Sequence, residues 1–322
     1  MRITILAGGV GGSKMVEGFY ALASERDNTG ATEPKITNTA IVNISDDWWH
    51  LGLKICPDLD SVLYRLAGVS DIERGWGRKD ETYRIREELA QFGVGKEWFT
   101  LGDLDLSMSI ARTSLLADGL PLSEVVEKLS ARWLESHTKL LPASDQELPT
   151  IVTTELGDMH FQEWWTRYRA NIATSGFRQE GIQNATPAPG VLAAIAEADL
   201  VVLAPSNPVV SLDPILSIPG IVETLKATSA NVVGVSPLIS GWALRGMANT
   251  CLEVVGSEQT AAGVAGFLGA DILDAFAIHE SDQDQEAAIE ALGIEAFTTD
   301  ILIPDAVTSS RLAVRLIDKF VG

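Results

Sequence analysis

The chain opens on a pattern with few structural solutions. A short apolar run, Arg2–Leu6, meets Ala7–Gly12, which reads AGGVGG, and Ser13–Ala23 follows with Met15, Phe19 and Leu22 at helical spacing. The run fits a buried strand, the glycines a tight turn, and the spacing a helix. Thr39–Ile44 (TAIVNI) is a second buried strand that ends at Ser45-Asp46-Asp47. Two parallel-type strands around one helix make a right-handed βαβ unit. Between them Glu25–Asn38 is polar, contains Gly30 and Pro34, and reads as a surface loop.

Later segments repeat the alternation. Leu200–Ala204 (LVVLA), Asn231–Val235 (NVVGV) and Ile272–Ile278 read as core strands, with helices at Val191–Ala198, Ile221–Thr228 and Arg311–Phe320. This spacing predicts an α/β fold: a Rossmann-like, doubly wound, mostly parallel sheet. Asp58–Leu141 differs. Asp60–Leu66, Glu81–Phe92, Leu106–Ala117 and Leu122–Leu134 all carry helical patterning, with no convincing strand. The expected division is a core of residues 1–60 and 142–322, with 61–141 a helical insertion packed on it. Thr150–Thr154 and Met159–Trp164 flank Leu156-Gly157-Asp158 as a hairpin.

Composition narrows the function classes. A formal net charge of −20 argues against nucleic-acid binding, which draws on a basic face. Leu200–Ala204, the longest clean apolar stretch near the middle, is far short of the roughly 20 residues that span a membrane. The first residues carry no signal-peptide pattern. Cys56 and Cys251 are the only cysteines and form no Cys-x-x-Cys pair. The expectation is a cytoplasmic protein with small-molecule partners, no nucleic acid and no membrane.

Four sets of residues carry candidate chemistry. Gly8, Gly9, Gly11 and Gly12, with Ser13 and Lys14, precede the first helix, where free N–H groups and a positive dipole end suit phosphate. The order Gly-Ser-Lys is not that of a P-loop, and Lys14 breaks G-x-G-x-x-G. Asp46 and Asp47 sit at a strand's carboxyl end, and Asp58 and Asp60 at the start of a helix. Such carboxylates either hold Mg²⁺ beside substrate phosphates or serve as helix caps. One of Asp58 and Asp60 is expected to cap and the other to face the cleft. Ser206 and Asn207, and the similar turn at Ser236-Pro237, either hydrogen-bond a base or sugar or are ordinary turns. Trp48, beside the acidic set, is placed to stack on a planar substrate, whereas Met159–Trp165 forms either a flat platform for a ring or, as its periodicity favours, a core hairpin with buried aromatics. No Gly-x-Ser-x-Gly, His-Glu-x-x-His or zinc spacing is present.

Taken together, AGGVGGSK, NISDDWWHLGLKICPDLD, RGWGRKDET, WFTLGDLDL, LLPASD, HFQEWW, LAPSNPVVS and SPLISG occur in an order that resembles the 2-phospho-L-lactate transferase family of coenzyme F-420 biosynthesis. The resemblance covers essentially the whole chain. It implies a transferase for substituted phosphate groups. A guanosine diphosphate-linked donor would give a 2-phospho-L-lactyl or phosphoenolpyruvyl group to the ribityl hydroxyl of FO (7,8-didemethyl-8-hydroxy-5-deazariboflavin), with GMP leaving and Mg²⁺ as the metal.

The VGG turn, HLGLKICPDLD and RGWGRKDET look like the bacterial branch, which is associated with the phosphoenolpyruvate-derived donor. The resemblance implies that Asp60 binds FO and orients its hydroxyl. Asp46 is the second catalytic and metal candidate, with Asp47 and Asp60 in the same metal set. The glycines would approach the phosphates, and Ser206 and Asn207 the guanosine. Thr100 stands where archaeal-type members place a basic FO contact. A homodimer is implied as well. A related family of nucleotide-sugar-binding regulators (YvcK-like) shares the glycine turn and is the non-catalytic alternative, though HFQEWW and LLPASD are not expected of it.

Overall fold

The computed structural model describes residues 1–29, 35–244 and 246–322. Seven strands form the central sheet. They are β1 (Arg2–Ala7), β2 (Thr37–Val42), β3 (Thr138–Pro142), β4 (Leu200–Leu203), β5 (Asn231–Val235), β6 (Ala275–Ile278) and β7 (Glu295–Thr298). Their spatial order is β3-β2-β1-β4-β5-β6-β7, and every neighbouring pair is parallel. The order reverses between β1 and β4, the doubly wound arrangement that opens a ligand crevice at the strands' carboxyl ends. Helices cover both faces, so β1, β4 and β6 are buried throughout most of their length and read as continuous apolar runs.

Two strands escaped the sequence pattern. β3 (TKLLP) falls in the stretch that showed none; it is an edge strand paired only with β2, where Pro142 and the exposed Lys139 are tolerated. β7 (EAFT) is the opposite edge and is too short and too polar to stand out. Between β2 and β3 lie four helices, α2 (Pro57–Leu66), α3 (Arg84–Gln91), α4 (Asp103–Ala117) and α5 (Leu122–Ser130).

The first helix, α1 (Gly9–Thr29), is longer than expected at both ends. It absorbs the glycine tract and also Glu25–Thr29, expected as loop; Gly30 and Pro34 lie outside the described residues. It packs on α2 and on the C-terminal helix Ala306–Phe320. The crossing with the latter is close, for a Cβ on Gly18 would lie 2.2 Å from Ser309 Oγ. The expected hairpin joins Thr150–Thr154 to Gly157–His160, and Thr174–Gln179 adds a third strand. The second strand stops at His160, where a helical turn begins. Among the described residues no single helix is long and apolar enough to cross a membrane.

Candidate active site

A cavity of about 1140 Å³ opens at the carboxyl ends of β1, β2, β4 and β5. Its floor is the glycine tract. Gly9 adopts φ +61° as the chain turns into α1, and Gly11 lets the helix touch the β4 loop: a Cβ there would lie 2.2 Å from the Pro205 carbonyl oxygen. Gly8, Gly9 and Gly11 line the cavity. Gly12 and Ser13 do not. Gly12 lies against Ser206 and Ala7, and the Ser13 hydroxyl donates to the Val10 carbonyl at 2.8 Å.

The Ser206 hydroxyl accepts from the Gly8 N–H (3.0 Å) and donates to the Gly8 carbonyl (2.8 Å), so it locks β4 to the glycine tract. Asn207 Oδ1 accepts from the backbone N–H groups of Val209 (3.0 Å) and Val210 (3.4 Å) and caps the following helical turn. Both residues still line the cavity. Lys14 donates to the Ile303 carbonyl at 2.6 Å and holds the loop after β7 over α1.

The acidic set divides in two. Asp47 faces Lys54 Nζ at 3.6 Å, and Lys54 also reaches Glu147 at 2.7 Å. Burial lifts the Asp47 carboxyl to about 7, which Lys54 only partly offsets. Asp60 pairs with Arg112, and Arg112 also donates to the Lys54 carbonyl at 3.2 Å. Burial would lower the Arg112 guanidinium, but Asp60, Cys56 and Tyr64 outweigh it and raise it.

Asp46 and Asp58 have no such cation among the described residues. They share one amide: Asn43 Nδ2 donates to Asp58 (2.9 Å) and lies 3.3 Å from Asp46. Burial raises both carboxyls, and the charge of Asp58 raises Asp46 further. Contrary to expectation, no side chain caps α2, and both Asp58 and Asp60 face the cavity.

The outer wall comes from the segment between α3 and α4. Trp98, Phe99, Thr100 and Leu101 line it. Trp48 does not reach the cavity. It is buried behind the wall, its ring stacked on Trp98 (centroids 5.5 Å apart) and met edge-on by Phe99 (4.5 Å). On another side Arg74 lies 4.4 Å from the Trp76 ring, and both line the cavity. The HFQEWW segment splits: Trp164 is wholly buried against Phe161 and Phe177, as a core reading requires, while Trp165 is exposed to the cavity.

Sequence reasoning missed Asn43, Asp105 and Arg112. Asp105, Ser109 and Arg112 recur at i, i+4 and i+7, which places them on one face of α4, and all three are buried. That polar stripe on a half-apolar helix was the available signal. Burial, then the charge of Asp60, lifts the Asp105 carboxyl to about 7. Glu81 holds the start of α4 by accepting from the N–H groups of Leu104 and Asp105, each at 2.8 Å.

The family described as 2-phospho-L-lactate transferase CofD matches residues 3–314. Phosphoenolpyruvate transferase of Mycolicibacterium smegmatis (strain ATCC 700084 / mc(2)155) is 46% identical over 313 residues, covering 93% of this chain and 94% of its own. That of Thermobifida fusca (strain YX) is 44% identical over 322 residues, covering 99% and 97%. Among solved structures, a Bacillus halodurans protein of the upf0052 family superposes with a TM-score of 0.62 at 18% identity, covering 98% of this chain and 99% of its own. This last similarity is one of fold. A whole-length family match and relatives of this identity place the chain in the 2-phospho-L-lactate transferase CofD family.

Proposed function

We propose that the protein moves a phosphoenolpyruvyl group from a guanosine diphosphate-linked donor to the ribityl hydroxyl of FO and releases GMP. The observation that carries this reading is that one cavity joins the N-terminus of α1, the Asp46–Asp58–Asp60 set and an aromatic wall. Phosphoryl transfer needs mainly positioning and charge neutralisation, and the cavity offers both. The donor's diphosphate would lie on the N–H groups at the start of α1. FO would enter along Trp98 and Phe99, its ring on the aromatic wall. The names of the relatives favour the enolpyruvyl over the 2-phospho-L-lactyl donor.

In this scheme the Asp60 carboxylate, held by Arg112, accepts a hydrogen bond from the attacking hydroxyl. That oxygen bonds to the phosphorus carrying the three-carbon group. The bond from that phosphorus to the GMP oxygen breaks, and the hydroxyl proton passes by way of Asp60 to solvent. The residues present fit Mg²⁺, but not as the set Asp46, Asp47 and Asp60. Asp47 and Asp60 already face cations, and no group of three or more such ligands exists among the described residues. Asp46 and Asp58 are two buried carboxylates short of positive charge, and Mg²⁺ takes one or two carboxylates plus substrate phosphates. When bound it would neutralise charge on the diphosphate.

Incubation with FO, Mg²⁺ and the guanylylated enolpyruvyl donor, followed by mass spectrometry, tests the reading. GMP and dehydro coenzyme F-420-0 should form in equal amounts. Absence of GMP with both enolpyruvyl and lactyl donors would contradict it.

A further inference from the structure

The HFQEWW motif and the turn that follows it present groups that nothing described so far uses. His160 Nε2 lies 3.1 Å from the Asp47 carbonyl, which ties the segment to the acidic end of β2. The wholly buried Trp164 donates from Nε1 to Thr174 Oγ1 at 2.8 Å and anchors it from below. Between these anchors the chain forms a π-helical turn, Glu163–Arg167, and then two successive left-handed residues, Arg169 (φ 51°) and Ala170 (φ 56°). A π-turn and paired left-handed non-glycine residues recur where a fold aims side chains at a ligand. The Ala170 N–H donates to the Trp164 carbonyl at 3.1 Å and fixes the bend.

Two cavity-lining side chains result. Gln162 is 5% exposed, and its side-chain amide has no hydrogen-bond partner among the described residues. The residue is held in place by burial while its amide, free of protein partners among the described residues, is open to a ligand in the cavity. Arg169 is exposed to the cavity. Among the described residues, three cationic side chains line the cavity. Lys14 donates to the Ile303 carbonyl. Arg74 is engaged by Asp71 at 3.3 Å and by the Arg78 carbonyl at 2.9 Å. Arg169 alone has no ion pair or hydrogen bond from its guanidinium among the described residues.

We propose that Arg169 and Gln162 bind the carboxylate of the donor's three-carbon group. The planar guanidinium matches a carboxylate's two oxygens, and the Gln162 amide N–H adds a third donor. With the diphosphate placed at the start of α1 in the scheme above, Arg169, unpaired among the described residues, is available to the substrate's other anion. Gln162 and Arg169 line the same cavity as Asp46, and the contact between His160 and the Asp47 carbonyl ties the start of their segment to the acidic end of β2. The inference rests on the transferase reading above.

Calorimetric titration with GDP and with lactyl-2-diphospho-guanosine tests it. Wild type should bind the adduct more tightly than GDP. Arg169→Ala and Gln162→Leu should each weaken the adduct by roughly tenfold or more while leaving GDP unchanged, and Arg169→Lys should recover part of the loss. Equal weakening of both ligands would assign Arg169 to the diphosphate and overturn the proposal, as would an undiminished preference in Arg169→Ala. Failure of wild type to bind either ligand or to turn over FO would instead overturn the transferase reading itself.

Discussion

The Arg112 guanidinium, carried by α4, closes on the Asp60 carboxylate at the start of α2, and both are buried. The pair ties α4 to α2 within the helical segment between β2 and β3. Arg112→Met leaves a buried carboxylate without its cation, which typically costs about 3–5 kcal/mol. Asp60→Asn in the same background should restore part of that loss. Urea denaturation of the two single variants and the double variant measures the coupling. Wild-type stability in Arg112→Met would contradict the pairing.

The same substitution has a kinetic consequence. Burial already raises the Asp60 carboxyl, and Arg112 opposes that rise. Without Arg112 the carboxyl holds its proton to higher pH, so the acid limb of the rate profile should move upward. A pH–rate profile of Arg112→Met measured against wild type checks this, and an unshifted limb would count against Asp60 as the proton acceptor.

Metal dependence should separate the carboxylates. Asp58→Asn should raise the Mg²⁺ concentration for half-maximal activity by roughly tenfold or more, whereas Asp47→Asn should leave it close to wild type. Asp47 faces Lys54 instead. Mg²⁺ titrations of activity in the two variants decide the point; equal effects would put Asp47 back into the metal set.

How much of this was legible in the sequence differs by element. β1, β4 and β5 were visible because a strand buried on both faces must be apolar from end to end. β3 and β7 were not, because edge strands face water on one side and carry polar residues or proline. The glycine tract was recognisable, but its exact register was not: whether a glycine belongs to the turn or to the helix depends on the Pro205 carbonyl, some two hundred residues away in sequence. Ser206, Asn207 and Asp47 had the right chemistry for a site, yet the Ser206 hydroxyl bonds Gly8, the Asn207 Oδ1 caps a helical turn and the Asp47 carboxylate faces Lys54. Only tertiary packing reveals such partners.

Two glycines that look alike in sequence should behave differently. Gly11→Ala sets a Cβ against a backbone oxygen at 2.2 Å in the cavity floor, so it should impair nucleotide binding as well as stability. Gly18→Ala meets Ser309, and neither residue lines the cavity, so it should cost about 1–3 kcal/mol of stability with the nucleotide affinity largely kept. Thermal melting paired with GDP titration distinguishes them.

Stability should also depend on pH through Asp105. Its carboxyl stands at about 7 in the folded protein, raised chiefly by burial and then by Asp60, against an ordinary value near 4 when unfolded. The folded state therefore keeps a proton that the unfolded state has shed. This contribution is complete below about pH 4 and is lost as pH rises to about 7. Asp105→Asn should therefore raise Tm more at pH 8 than at pH 5. A pH-independent difference between variant and wild type would contradict the assignment.

The proposed role of Asp60 is to receive FO. FO is itself fluorescent, so its titration with the purified protein, with and without GDP and Mg²⁺, needs no label. Saturable binding that is abolished or strongly weakened in Asp60→Asn is the predicted result. No saturable change, or the same affinity in Asp60→Asn, would contradict it.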